Sequence, residues 1–344
     1  MADGPVVAPD QQVTLGSWPT PVESAPRLAE AIGLDRDALR IKRDDLGGLG
    51  GGGNKVRKVE WTVGAALAAG ADTLVTTGAP QSNHARLTAA AGARLGLRVV
   101  LVLRGAPGET SSGNVALDGL FGAEAHWAGD VDDERFADVV ERVVDRLRRD
   151  GARPVLIPFG GSNAAGAYGY LRGGEELLDQ VPDLELVVVA LGSGGTMAGL
   201  VASLGPSRVL GVQTGALAEP ATAVAALVGQ LGRAEVRPDQ LRIRYDQVGA
   251  GYSQLTEASA SAMELTARST GVVLDPIYTG RAMAGLVAAV RDGEIDPGTR
   301  TVFLHTGGLP GLFGHASAVT RAGQGLLHYP PRDDEPLSTS SVSN

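Results

Sequence analysis

Residues 73–96, TLVTTGAPQSNHARLTAAAGARLG, decide the fold. A short β-type run, TLVTTG, passes through a Gly-Ala-Pro turn into a helix-length segment, HARLTAAAGARLG. The same order recurs on either side. Strand candidates follow at RVVLVLRG (98–105), AEAHWAG (123–129), PVLIPFGG (154–161), LELVVVALGSGG (184–195), SRVLGVQ (207–213), GVVLDP (271–276) and TVFLHTGG (301–308). Helical segments lie between them. In DERFADVVERVVDRLRRDG, Phe136, Val139, Val140, Val143, Val144 and Leu147 make an apolar stripe at three- and four-residue spacing. Strand then helix, repeated, predicts an α/β protein with open, mostly parallel sheets covered by helices.

Five of these strands run directly into Gly, Ser, Asn or Thr: TTGAPQSNH, IPFGGSN, ALGSGGT, LDPIYTG and LHTGG. Ligands of open parallel sheets bind beyond the carboxyl ends of the strands, where the next helix offers free N–H groups. The five turns therefore read as one lined cleft. Within GSGGTMAGL (192–200), the amides of Gly194, Gly195 and Thr196 suit a phosphate. The dinucleotide pattern G-x-G-x-x-G fails at Met197, and a Walker loop fails because Asn54 separates the glycines from Lys55.

Composition narrows the chemistry. The formal charge of −9 excludes a basic nucleic-acid surface. No apolar run is long enough to span a membrane. The acidic start, MADGPVVAPD, is unlike a signal peptide, so a cytoplasmic enzyme is expected. Cysteine is absent, and the histidines lack paired ligand spacing, so no metal site is expected. The tail, 331–344, lacks apolar periodicity and reads as disordered.

Only three lysines, Lys42, Lys55 and Lys58, occur among 30 basic residues. Lysine can become a neutral amine and condense with an aldehyde, which arginine cannot. Lys42, in LRIKRDDLG, reads as an ion-pair partner. Lys58, beside Arg57 and Glu60, reads as solvated. Lys55 follows GGLGGGGN at a helix start, where a cation is disfavoured unless it is neutralised or paired with an anion. A reactive lysine with a glycine-lined phosphate cup describes a pyridoxal-phosphate site.

The segments IKRDDLGGLGGGGNKVRKVE, GAPQSNHARLTAAAG, GNVALDGLFGAE, GGSNAAGAYGY, LGSGGTMAGL, LDPIYTGRAM and HTGGLPGLF, in that order, resemble the D-cysteine desulfhydrase / 1-aminocyclopropane-1-carboxylate (ACC) deaminase family. These are fold-type-II pyridoxal-phosphate enzymes, and the resemblance spans roughly residues 13–325. It implies two domains, a large one from 1–55 and 161–330 and a small one from 56–160, with the cofactor between them, and a homodimer. It further implies that Lys55 holds the cofactor beside Asn54, and that Gly192, Ser193, Gly194, Gly195 and Thr196 form the phosphate loop. Ser82 and Asn83 would meet the substrate carboxylate and the cofactor ring. His84 follows them, with capping, packing and catalysis all open. Tyr278 and Tyr252 match the family's two active-site tyrosines, although GYSQLTE departs from the usual continuation after Tyr252. Arg281 replaces the family's usual lysine, and Pro80 is an unusual entry to QSNH. Thr279, where ACC deaminases carry glutamate, and Thr306, which matches a hydroxyl facing the ring nitrogen, would both contact the cofactor. These residues point to β-elimination from a small β-substituted amino acid such as D-cysteine. β-Replacement, an L-cysteine or L-cysteate lyase, ACC deamination, and cofactor binding without turnover are the alternatives.

Overall fold

The computed structural model describes residues 11–108, 112–233 and 235–326. The acidic start and the tail at 331–344 lie outside the described residues. Two open sheets organise the chain. One has four parallel strands in the order β5 (Glu124–Trp127), β4 (Arg98–Leu103), β3 (Thr73–Gly78), β6 (Pro154–Ile157). The other has six, in the order β1 (Val22–Ser24), β2 (Leu39–Lys42), β10 (Thr301–Leu304), β7 (Leu186–Leu191), β8 (Val209–Gln213), β9 (Arg242–Arg244). Its pairs are parallel except β1 with β2.

Alternate side chains of each strand feed opposite cores, as the period of two requires. In the larger sheet Val188, Ala190, Leu210 and Phe303 pack on α1 (Pro26–Ile32), α9 (Glu257–Thr270) and α10 (Thr279–Arg291). Val187, Val189, Val209 and Val302 pack on α6 (Ala164–Gln180), α7 (Gly195–Leu204) and α8 (Pro220–Gln230). In the smaller sheet Leu74, Val99 and Leu101 face α2 (Lys55–Ala68) and α3 (Asn83–Leu95). Val75, Val100 and Val102 face α5 (Asp133–Arg149), whose Val140, Val143, Val144 and Leu147 are buried, as the stripe predicts. The α/β architecture expected from the alternation is the one observed.

Two readings need correction. GVVLDP is not a strand: residues 272–275 belong to no sheet. His305 Nε2 meets the Val273 carbonyl at 3.0 Å, doing the work of a ladder partner. Lys58 is not solvated. Helix α2 is wedged against both α3 and α6, so it has no solvent face, and Lys58 is fully buried. Short edge strands β1 and β9 are additions that the sequence did not announce.

The wedge is fixed by charge. Arg57 of α2 donates to both Asp44 oxygens at 2.9 and 3.0 Å, and to both Glu176 oxygens at 2.9 and 2.8 Å. Its guanidinium lies 3.9 Å from the Trp18 ring centre. Lys42 completes the cluster through Glu176 and the Thr20 carbonyl, as an ion-pair partner should. Glu60 accepts from the Leu15 and Gly16 amides, both at 2.8 Å, and so lashes the N-terminal segment to α2. Ahead of the helix, Gly52 and Gly53 have φ of 71° and 116°, open to glycine. A Cβ on Gly52 would stand 1.8 Å from the Asp45 carbonyl oxygen.

Burial alone would raise the Asp44 pKa, but the charge and hydrogen bonds of Arg57 outweigh it and hold the carboxyl below its usual value. A folded pKa below the unfolded one stabilises above about pH 4 and loses that contribution as pH falls through the folded value. We expect Asp44→Ala to lower unfolding free energy by about 3–5 kcal/mol at neutral pH. In urea titrations the gap from the parent protein narrows below about pH 4.

Candidate active site

The carboxyl ends of β3, β7 and β10, and the turn after β6, converge on one pocket. Its wall includes Asn54, Lys55, Ser82, Asn83, His84, Gly192, Ser193, Gly194, Thr196, Tyr278 and Thr306. Residues scattered over 250 positions of sequence therefore meet, as the cleft reading expects.

Lys55 is the first residue of α2, with Asn54 at the cap position. Asn54 is held at both ends: its amide donates to the Thr306 carbonyl at 3.0 Å and its side chain to the Thr196 hydroxyl at 2.9 Å. Burial brings the Lys55 amine down to a pKa of about 8. Lys58, one turn on, donates to the Gly160 carbonyl at 2.6 Å and the Ser162 hydroxyl at 2.7 Å. Burial, then the charge of Lys55, pushes its pKa well below the usual lysine value. His84 is likewise held far below the ordinary histidine value by burial and by both lysines. Its Nε2 lies 2.9 Å from the Thr76 hydroxyl, while Nδ1 has no partner. Thr76 gives its proton to the Ile157 carbonyl, so Nε2 is the donor and Nδ1 the free acceptor.

Among the described residues, no carboxylate lines this pocket. Two lysines repel one another beside a neutral imidazole, which is the electrostatics of a site built for an anion. A cup stands ready for one. Strand β7 runs into the turn Gly192-Ser193-Gly194, and α7 begins directly after it at Gly195, so the start of a helix faces the cup. The Ser162 hydroxyl braces the cup, accepting from Gly195 N at 3.2 Å and meeting Ser193 Oγ at 2.7 Å. A Cβ on Gly195 would lie 2.8 Å from Lys58 Nζ, so only glycine lets that ammonium sit against the turn. Ser162 and Lys58 were missed as site residues. The quoted GGSN turn and the scarcity of lysine were the signals that pointed to them.

Ser82 caps α3, accepting from the Ala85 amide at 3.1 Å, and Asn83 is oriented by Asn114 at 3.0 Å. Tyr278 contacts Tyr252 through a hydroxyl–hydroxyl hydrogen bond, their rings edge to face at 6.1 Å. Burial, then the partner phenol, raises the Tyr278 pKa well above its usual value; burial also raises Tyr252. Both are therefore proton donors or relays at neutral pH, not bases. Tyr252 stands behind Tyr278 and outside the inner wall, while Gly195 lies beneath the cup. Thr279 corrects the sequence reading. It is fully buried outside the wall, its hydroxyl spent on the Asp275 carboxylate at 2.7 Å and the Asp275 amide at 2.8 Å. That carboxylate also accepts from the Ile277, Tyr278 and Thr279 amides, fixing the turn that presents Tyr278.

Arg281, fully buried one turn into α10, reaches the carbonyl oxygens of Thr214 at 2.5 Å, Gly251 at 2.8 Å and Gln254 at 2.6 Å. It is thus a clamp on the loop that carries Tyr252. A lysine ammonium cannot span that fork. We expect Arg281→Lys to leave cofactor absorbance intact while lowering kcat/KM on the order of ten- to a hundredfold, through a displaced tyrosine pair. Steady-state kinetics alongside the absorbance spectrum checks this.

Comparison with known proteins agrees with the geometry. Residues 13–307 match the family described as pyridoxal-phosphate dependent enzyme. The chain is 39% identical over 314 residues to D-cysteine desulfhydrase of Salmonella typhi, covering 86% of this chain and 94% of the relative. It is 40% identical over 316 residues to a Pyrococcus abyssi protein provisionally named 1-aminocyclopropane-1-carboxylate deaminase, covering 88% and 93%. A crystal structure of an ACC deaminase homologue superposes with a TM-score of 0.82 at 36% identity, covering 90% of this chain and 96% of that one. A threonine deaminase isoform from Solanum lycopersicum, at 18% identity, shares the fold, with a TM-score of 0.61 and coverage of 89% and 84%. The chain belongs to the pyridoxal-phosphate dependent enzymes, in the branch of fold-type-II lyases that holds the proteins named for D-cysteine desulfhydrase and ACC deaminase.

Proposed function

We propose that this chain catalyses β-elimination from a small β-substituted amino acid such as D-cysteine, releasing a 2-oxo acid, ammonia and sulfide. The observation that carries this is the Lys55 amine, held near neutrality in a pocket whose wall has no carboxylate.

The residues present fit the cofactor. The Lys55 amine in a wall without carboxylates, and the brace of Ser162 under the glycine turn with Lys58 behind it, suit a phosphate held by Gly192–Thr196. Bound there, pyridoxal phosphate supplies an aldehyde for an amine and a ring that withdraws electrons from the attached carbon. Lys55 provides the amine. A pKa of about 8 leaves a useful neutral fraction at physiological pH, so the same nitrogen serves as base toward a Cα proton. The tyrosine pair, with raised pKa values, is suited to deliver a proton rather than to take one. Ser82 and Asn83, at the start of α3, offer a hydroxyl, an amide group and a helix N-terminus to a substrate carboxylate. Thr306 reaches the wall where a ring nitrogen would meet a hydroxyl rather than an anion. A neutral partner leaves a weaker electron sink, enough to expel a good leaving group from Cβ but poorly matched to opening a cyclopropane. The same reading divides the chain into a small domain, 56–160, and the remainder, and takes the active form as a homodimer.

Three measurements test it. In a panel of D- and L-cysteine, cysteate, β-chloroalanine, serine and ACC, 2-oxo acid should form from the β-substituted compounds, D-cysteine foremost, and not from ACC. Lys55→Ala should abolish the yellow chromophore and lower turnover by on the order of a thousandfold or more. The pH dependence follows from the amine. Its neutral form is the nucleophile, so the rate at which apoenzyme captures the cofactor should rise with pH through about 8 and level off above it.

A further inference from the structure

The inner pocket does not close over its substrate side. Ser82, Phe159 and Tyr278 also line a second, larger cleft that opens beside it. One wall is apolar: Phe136, Val140 and Val144 of α5, and Leu156 of β6, beside Phe159. The opposite wall carries Leu217 and Tyr252. Leu156 is 47% exposed and Phe159 43%, so large apolar surface faces water at the door of the catalytic pocket. The charged residues on this cleft are Arg104, Asp133, Glu141 and Arg148, two of each sign. Arg104 is already committed, lying 4.1 Å from the Phe136 ring centre and bonded to Asp133 and to the Val131 carbonyl at 3.0 Å. The chamber therefore selects by apolar contact, with no net charge to attract an ionic group.

A three-carbon amino acid bound beside Lys55 fills none of this space. We propose that the chamber receives the leaving group, and that the enzyme acts on β-thioether amino acids, S-substituted cysteines with an apolar alkyl or aryl arm. This rests on the β-elimination proposed above and specifies its substrate class. The Cα–H proton passes to the Lys55 amine, the Cβ–S bond breaks with its electron pair going to sulfur, and the thiolate departs into the chamber and is protonated. With one water consumed, the products are the thiol, a 2-oxo acid and ammonium, with no oxidant or reductant required.

The test compares S-benzyl-cysteine with cysteine, each as both enantiomers, on the holoenzyme, reading 2-oxo acid and free thiol. In the reactive configuration, kcat/KM for the benzyl thioether should equal or exceed that for cysteine. Leu156→Asp, at an exposed edge-strand position, should lower the benzyl value about tenfold and leave the cysteine value within about twofold. Leu217→Asp on the opposite wall should do the same, and supplies the comparison if the first variant fails to fold. Turnover of cysteine with refusal of the thioether overturns the chamber and leaves β-elimination standing. Equal effects of the variants on both substrates, or none on the thioether, also overturn it. No 2-oxo acid from any thiol or thioether removes the elimination reading and this proposal together.

Discussion

A helix with no solvent face, carrying two lysines, an arginine and a glutamate in its first six residues, is the constraint on which this structure is built. Each charge in α2 must be answered inside the protein, because isolated buried ions are costly. Arg57 is answered by Asp44 and Glu176, and Glu60 by the amides of Leu15 and Gly16. Lys58 has only neutral oxygens, from Gly160 and Ser162. Lys55 has no carboxylate within its pocket at all. Arg57 is thus fully compensated, Lys58 only by neutral groups and Lys55 by no anion, and of the three it is Lys55 that lines the cleft. The fold thus leaves a deficit of negative charge in the pocket proposed above to take the cofactor phosphate and the substrate carboxylate.

Glycine creates a second requirement. Loops made of glycine approach ligands closely but have no side chains with which to hold themselves in place. Two buried arginines supply the hold. Arg86 of α3 donates to the carbonyls of Gly50 at 2.6 Å and Gly52 at 3.0 Å, clasping the loop that delivers Lys55. Arg281 does the same for the loop that delivers Tyr252. Both side chains are fully buried and point at backbone oxygens, so neither is a surface charge. An arginine-rich composition hides such residues: nothing in the sequence separates Arg86 from the guanidinium groups that lie in water, and Arg281 stands out only as a replacement of the family's usual lysine.

What was legible in the sequence follows from the range of the interaction involved. Periodicity and strand-end glycines depend on neighbours a few residues apart, and they gave β3, the stripe of α5, the glycine turn after β7 and the convergence on one cleft. Lys58 was misread because a helix surface looks polar wherever it carries charge, and only tertiary packing against the turn after β6 and the start of α7 shows that this face is closed. GVVLDP looked like a strand because β-branched residues favour extended backbone whether or not a partner lies alongside, and here the His305 side chain takes the place of one. Thr279 was read as a cofactor contact because it occupies the position where ACC deaminases carry glutamate, directly after Tyr278. Consecutive residues at a helix start point in different directions, and Asp275 captures the second of them.

The acid–base character of the site follows from these placements. A base must be neutral near the working pH and an acid must keep its proton there. Burial drives amines and phenols apart in usefulness, lowering the pKa of one and raising that of the other, because in each case it penalises the charged form. In the proposed reaction Lys55 is therefore suited to act as the base, and the Tyr278–Tyr252 pair keeps its protons, by one common cause acting on opposite charge types. A wall without carboxylates sharpens the division: a nearby anion would restore the lysine's charge and weaken it as a base. The absence of acidic residues that makes the pocket receptive to phosphate is thus also what keeps its one reactive amine available for proton transfer.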